Sequence, residues 1–423
     1  MEKVNPQSVD VSAERLLRVS SWLQQQISSE RLAGASVLLS RRGSVAYFEQ
    51  AGVTDLETGT KFDEDTIVRI YSMTKPITTV AAMMLYEQGH FQLDDPVASH
   101  IPSFGDTQVW TGADADITST EAMRNPLTVQ HLMTHTSGLT YSFMSSNVVD
   151  REYRHRKIVA PSKFPNLEQW VNELASIPLM CQPGTQWNYS VSTDVLGRLV
   201  EVWSGQSLSE FFQDHILGPL GMRDTGFHVD AKNHARFASL YAPLSGGDLS
   251  NVAQQSAATQ VRDGGLLLEE SASESTFLNP ATLYSGGGGL RSTIGDYSRF
   301  CQMLLNGGKL DGAQLLSPKT VAFMRRNQLP DNRDMAAMGQ PVWSETNYEG
   351  IGFGLGFAVV VDPVKAHMIT SPGEHHWGGA ASTFFWLDPV EDLYVIFFAQ
   401  LIPSSTYPIR RELRTRIYQA LID

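Results

Sequence analysis

Ser72 and Lys75 lie in the stretch RIYSMTKPITTVAAMMLYEQG, residues 69–89, and their types and spacing suit nucleophilic chemistry. From Met73 to Tyr86 the only charged residue is Lys75; around it stand Ile77, Val80, Met83, Met84 and Leu85 with small Ala and Thr between them. A helix apolar on nearly every side belongs inside a protein. An ammonium carried there needs a partner or a shifted proton affinity, because removing it from water is costly. At i and i+3 on one helix, Ser72 and Lys75 share a face and come within hydrogen-bonding reach. Pro76 supports a helix start near Ser72, since proline is tolerated in a first helical turn and not in the interior. Free N–H groups at that end suit the oxyanion formed when a serine attacks a carbonyl. No other S-x-x-K occurs in the chain. The competing role for Lys75 is a buried ion pair that holds helices together.

The elements that must position this pair come from both ends of the chain. Near the N-terminus an amphipathic stretch with Leu16, Leu17, Leu23 and Ile27 precedes GASVLLSRRGSVAYFEQAG, which reads as a hairpin turning at Arg41, Arg42 and Gly43. Near the C-terminus GFAVVVD, AASTFFWLD and LYVIFFAQ read as strands, and Ile409, Leu413, Ile417 and Leu421 recur at helical spacing. The basic RRELRTR within that last helix reads as its solvated face. The expected fold is α+β: one antiparallel sheet built from both termini and flanked by helices, with a mostly helical part inserted. The α/β part is expected at about 1–90 and 285–423 and the helical part at about 91–284, in a single catalytic unit. The polar stretches 105–125, 141–166 and 240–280 are long enough to be lid or substrate loops.

Composition narrows the function classes. The chain has 423 residues, 42% of them hydrophobic, and a net charge of -13, which opposes nonspecific binding to nucleic acid or an anionic membrane. The first residues lack a signal peptide's apolar run of about 7 to 15 residues. No run reaches the roughly 18 apolar residues of a membrane span, so a cytoplasmic protein is expected. Cys181 and Cys301 make neither a disulfide framework nor a metal site. His131 and His135 have the spacing of a metal pair but no accompanying H-E-x-x-H glutamate, and read as structural. His375 and His376, just before Trp377, read as a strand edge beside the site. The run SGGGGL lacks the ending of a phosphate loop and reads as backbone packing before a helix near Ser292.

Taken together, SMTK at 72–75, YSV from Tyr189 to Val191 and WGG from Trp377 to Gly379 resemble the serine β-lactamase and penicillin-binding protein superfamily. The phrases HLMTHTSGL at 131–139, GPLGMRDTGF at 218–227 and SGGGGLRSTIGDYSRF at 285–300 extend the match along the chain. Within that superfamily the chain resembles the class C β-lactamase-like carboxylesterases of family VIII. The resemblance implies a β-lactamase/transpeptidase-like fold, Ser72 as nucleophile and Lys75 with Tyr189 as the proton-handling pair, either of them the base. It also implies an oxyanion hole of the Ser72 and Ala380 N–H groups, with Gly378 and Gly379 letting the backbone approach the acyl group. Tyr141 is expected to hydrogen-bond near the nucleophile and Asp194 to orient Trp377. Where class C β-lactamases resemble Y-A-N and K-T-G, this chain has Val191 and Trp377, so a neutral apolar wall replaces a cation. The implied activity is a serine carboxylesterase for short- to medium-chain esters of small molecules, without metal or cofactor and with at most weak β-lactam hydrolysis. The alternatives are an acyltransferase of the same fold and a noncatalytic penicillin-sensing module. No G-x-S-x-G occurs, which sets aside an α/β-hydrolase.

Overall fold

The computed structural model describes residues 2–112, 116–144, 147–159, 163–245, 264–339 and 348–423. Strands β1 (Gly34–Arg41) and β2 (Ser44–Gly52) form the expected hairpin, with Arg41 opposite Ser44. Arg42 and Gly43 both have positive φ, 51° and 74°, the backbone of a two-residue turn whose twist matches its strands. Two short strands, β3 (Val68–Arg69) and β4 (Arg291–Ser292), pair with each other beside the site. Strands β5 (Ile351–Phe353), β6 (Ala358–Val360), β7 (His375–Gly378), β8 (Phe384–Asp388) and β9 (Leu393–Ala399) complete the main sheet. Its order is β5-β6-β7-β8-β9-β1-β2, and every neighbouring pair is antiparallel.

Alternation along the buried strands divides the side chains between two faces. Val37, Leu39, Trp386, Val395 and Phe397 pack with Val19, Trp22 and Leu23 of α1 (Ala13–Ser28) and with Leu413 and Ile417 of the C-terminal helix, α6 (Ile409–Tyr418). Leu38, Phe385, Leu387 and Ile396 join the larger core on the other face. That core contains α2 (Thr74–Glu87), α3 (Val129–Met133), α4 (Ser192–Ser204) and α5 (Ile294–Leu305). The α+β expectation therefore holds, with the sheet supplied by both ends of the chain. Among the described residues no helix is long and apolar enough to cross a membrane.

Several local expectations are corrected. His375 and His376 lie in an interior strand between β6 and β8, not on an edge. The helix after SGGGGL does begin near Ser292 as expected, with the Thr293 hydroxyl as cap and Ile294 as its first residue. Leu421 falls beyond α6, in a bridge to Val11. The stretch 141–166 contains a helix, Val148–His155, and 105–125 the paired strands Val109–Trp110 and Thr120–Glu121. In 240–280 the strands Leu240–Pro243 and Leu266–Glu270 pair, and residues 246–263 lie outside the described residues.

RRELRTR is not wholly a solvated face, because Arg414 turns inward. Its Nη2 and Nε donate to Glu374 Oε1 and Oε2 at 2.7 and 3.0 Å, and His376 Nδ1 lies 2.8 Å from Oε1. Burial alone would push the Glu374 carboxyl up; Arg414 and His376 outweigh it and hold it at about 2. A carboxyl depressed that far contributes roughly 3 kcal/mol of stability at neutral pH. The contribution is present above the ordinary value of 4.5 and is lost as pH falls toward about 2. Glu374→Gln is thus expected to lower the urea midpoint strongly at neutral pH, where it also removes the carboxylate that Arg414 Nε and Nη2 bond. The gap to wild type is expected to narrow in acid; a gap independent of pH would contradict this.

Candidate active site

Ser72 stands at the approach to the apolar helix rather than inside it. A 3-10 turn, Tyr71–Met73, leads into α2, so Lys75 and Pro76 fall in the first α-helical turn. Tyr71, directly before Ser72, has φ of 42°, a left-handed conformation that costs a non-glycine residue energy unless its surroundings enforce it. Those surroundings include the β3–β4 pairing, a Met73 N–H bond to Ile70 O at 3.0 Å, and the Tyr297 hydroxyl donating to Met73 O at 3.0 Å. Nothing in the sequence pattern announces this strained residue.

Lys75 is 1% exposed, and Nζ donates to three oxygens: Gly287 O at 2.7 Å, Tyr141 OH at 2.9 Å and Ser72 Oγ at 3.3 Å. Three acceptors match the three donors of an ammonium. The Tyr189 hydroxyl donates to Ser72 Oγ at 2.6 Å, and Lys75 Nζ lies 4.7 Å from the centre of the Tyr189 ring. Ser72, Lys75, Tyr189 and Tyr141, distant in sequence, thus form one hydrogen-bonded cluster. The Tyr141 hydroxyl bonds Lys75, not Ser72 itself. Burial, then the neighbouring Tyr189 and Asp194, push the Tyr141 phenol well above its ordinary range. It therefore acts as a neutral hydrogen-bonding group.

Two loops hold the tyrosines in place. Asn188 donates from its backbone N–H to His135 O at 2.8 Å and from Nδ2 to Leu139 O at 2.7 Å, tying the Tyr189 segment to the TSGL turn. His135 itself has φ of 55°, and its Nδ1 lies 3.2 Å from Ser190 Oγ. Burial, with Lys75 adding to it, drives the His135 ring well below its ordinary value, so it is neutral. His131 instead accepts the Thr128 N–H at Nδ1, 3.2 Å away, closing a capping box on α3. The two histidines therefore serve separate structural bonds.

The β7 end supplies the opposite wall. Trp377 is 6% exposed, with its ring 5.3 Å from both Tyr189 and Phe353. A Cβ on Gly379 would lie 2.3 Å from Ile70 O, so glycine there lets the end of β7 approach the backbone just before Ser72. A Cβ on Gly378 would lie 2.6 Å from Arg410 Nη2, on the side of α6. Gly379 donates its N–H to Thr383 O at 2.7 Å, and Ala380 follows it in the turn after β7.

Asp194 does not orient Trp377. Its Oδ1 accepts the Gly287 N–H at 3.0 Å and the Ser285 hydroxyl, while the Trp377 indole N–H is buried without a partner among the described residues. Nor is SGGGGL mere packing, since Gly287 O is a direct acceptor of Lys75. The turn lies against α2, with Thr78 Oγ1 donating to Gly286 O at 2.7 Å and the Leu290 N–H donating to Thr74 Oγ1 at 3.1 Å. Sequence reasoning missed Ser285 and Gly287. The available signal was a glycine run of which only the approach to a helix, not its target, was legible.

Protein Rv1367c of Mycobacterium tuberculosis is 34% identical over 377 residues, covering 88% of this chain and 87% of its own. Esterase EstB of Burkholderia gladioli is 30% identical over 424 residues, covering 98% of each. Among solved structures, EstCE1, described as a hydrolase with promiscuous acyltransferase activity, superposes with a TM-score of 0.76 at 27% identity, covering 98% of this chain and 99% of its own. The family profile described as beta-lactamase matches residues 19–419, and the chain belongs to the beta-lactamase family.

Proposed function

We propose that the protein is a serine carboxylesterase of the family VIII type, acting on short- to medium-chain esters of small molecules through an acyl-Ser72 intermediate. The observation that carries this reading is Ser72 Oγ lying 2.6 Å from Tyr189 OH and 3.3 Å from Lys75 Nζ. Similarity to Esterase EstB along nearly the whole chain supports it. Lys75 engages all three of its donors, and Tyr189, the nearer group to Ser72 Oγ, is the base: having first released its own proton to bulk water, its oxygen takes the Ser72 proton. Ser72 Oγ bonds to the ester carbonyl carbon, and the resulting oxyanion is received by the Ser72 and Ala380 N–H groups. As the ester C–O bond breaks, Tyr189 returns the proton to the leaving alkoxide; water then attacks the acyl-enzyme with the same groups in the same roles. No step calls for a metal or cofactor.

Trp377 gives the cleft an apolar side where a charged group would meet an anionic substrate, which favours uncharged esters. Turnover of 4-nitrophenyl acetate and butyrate is therefore expected, with penicillin hydrolysis weaker by orders of magnitude. Absence of both burst and turnover on the esters would contradict the reading in favour of a binding module. Efficient penicillin turnover would contradict the assignment of Trp377. Similarity to EstCE1, with its promiscuous acyltransferase activity, also favours acyl transfer as a second outcome of the same intermediate. Adding alcohol acceptors to the ester assay measures that partition. A cytoplasmic location belongs to the same reading, supported by two buried free cysteines, and cell fractionation tests it.

A further inference from the structure

The Lys75 ammonium is buried among groups from several elements. Facing it are the phenols of Tyr141 and Tyr189, the neutral ring of His135 and, from α4, the carboxylate of Asp194. The carboxylate is not among the three acceptors of the ammonium; a single residue links the two. Gly287 gives its N–H to Asp194 Oδ1 at 3.0 Å and its carbonyl to Lys75 Nζ at 2.7 Å. A Cβ at residue 287 would lie 2.3 Å from Asp194 Oδ2, so the carboxylate is pressed against the glycine backbone and any side chain there would displace it. Asp194 is 6% exposed, and Ser285, two residues before Gly287, donates its hydroxyl to the same oxygen.

We propose that Asp194 is a positioning residue for the Ser72 chemistry, pinning Gly287 so that its carbonyl holds Lys75 and supplying the negative charge that keeps Lys75 an ammonium. The inference rests on the esterase reading, and it names the group that sets the charge state of the lysine in that mechanism. A buried anion is costly by itself. Here burial holds the Asp194 carboxyl above its ordinary value, and Lys75, Ser285 and the Gly287 N–H limit that rise. Asp194 is thereby stabilised by the cation it serves. A purely structural role, such as favouring the N-terminal end of α4, would affect stability and leave the proton inventory of the site unchanged.

Asp194→Asn separates the two, because its amide oxygen still accepts from Gly287 and Ser285 while the charge is removed. The readout is the titration of the Lys75 Cε resonance in protein carrying 13C-lysine, assigned by its loss in Lys75→Arg, alongside ester kinetics across pH. In Asp194→Asn the Lys75 titration and the alkaline limb of kcat/KM are expected to move together to lower pH, by about one unit or more. The value of kcat is expected to fall by about tenfold or more while KM changes by less than about threefold. A Lys75 titration that coincides with wild type overturns the proposal, whatever happens to stability. A rise in activity at neutral pH, meaning that a neutral lysine is the working form, overturns it as well. Should Asp194→Asn fail to fold, Ser285→Ala removes one donor from the carboxylate and keeps its charge. The inflection that Lys75 senses from Asp194 is then expected to move to higher pH, and an unmoved inflection overturns the proposal. The resonance does not depend on turnover, so inert wild-type protein with a shifted titration would reject the esterase reading alone.

Discussion

Ser72→Ala is expected to form no acyl-enzyme and to lose ester turnover by on the order of 10^4 to 10^6. The hydroxyl is the one atom on which the short contact from Tyr189 and the donor from Lys75 converge. Removing it leaves the phenol and the ammonium with no proton to exchange and no oxygen to carry the acyl group. Stability should change little, because Ser72 is only half-buried and its neighbours Ile70, Met73 and Thr74 carry the backbone and packing contacts. Stopped-flow traces with 4-nitrophenyl butyrate should therefore lose the burst and the steady state together, while the unfolding curve stays in place. Near-normal turnover in this variant would reject the nucleophile outright.

Tyr189→Phe is expected to slow acylation by about 10^2 to 10^4, the usual contribution of a positioned proton-transfer group. The substitution is informative because the ring has work of its own. It stacks near Trp187 at 6.3 Å and tilts against Trp377 at 5.3 Å and His135 at 4.9 Å, contacts that phenylalanine retains. Only the hydroxyl is lost, so the loss should appear in kcat with KM nearly unchanged, and both acylation and deacylation should slow because one group serves both steps. Single-turnover measurements separate these phases. A variant that acylates normally and stalls only afterwards would assign the first proton transfer to Lys75.

Which parts of this site the sequence made legible follows from where the interactions lie. Ser72 and Lys75 are readable because a separation of three residues across the turn into α2 fixes their proximity before any tertiary structure exists. Tyr189, Tyr141 and Trp377 carry no local periodicity that distinguishes them from core aromatics, and only the order of motifs along the chain singled them out. Asp194 was noticed but given the wrong partner. Its role depends on the 285–290 turn packing against α2, an approach set by Thr78, Thr74 and the absence of side chains at Gly286 and Gly287. Strand β7 was read as a sheet edge because His375, His376 and Gly378 are weak strand formers, and its interior place is decided by pairing with β6 and β8. Arg414 escaped for the opposite reason. Basic residues on an amphipathic helix ordinarily face water, and the buried Glu374 just before β7, with the Trp386 ring, turns this one inward.

Mass spectrometry of the protein after exposure to a fluorophosphonate, followed by peptide mapping, probes the central claim with no assumption about the natural substrate. One adduct per chain is expected, on Ser72, formed quickly in the wild type and far more slowly in Tyr189→Phe. An adduct on another residue, or equal labelling of Ser72 whether or not the Tyr189 hydroxyl is present, would contradict the assignment of nucleophile and base.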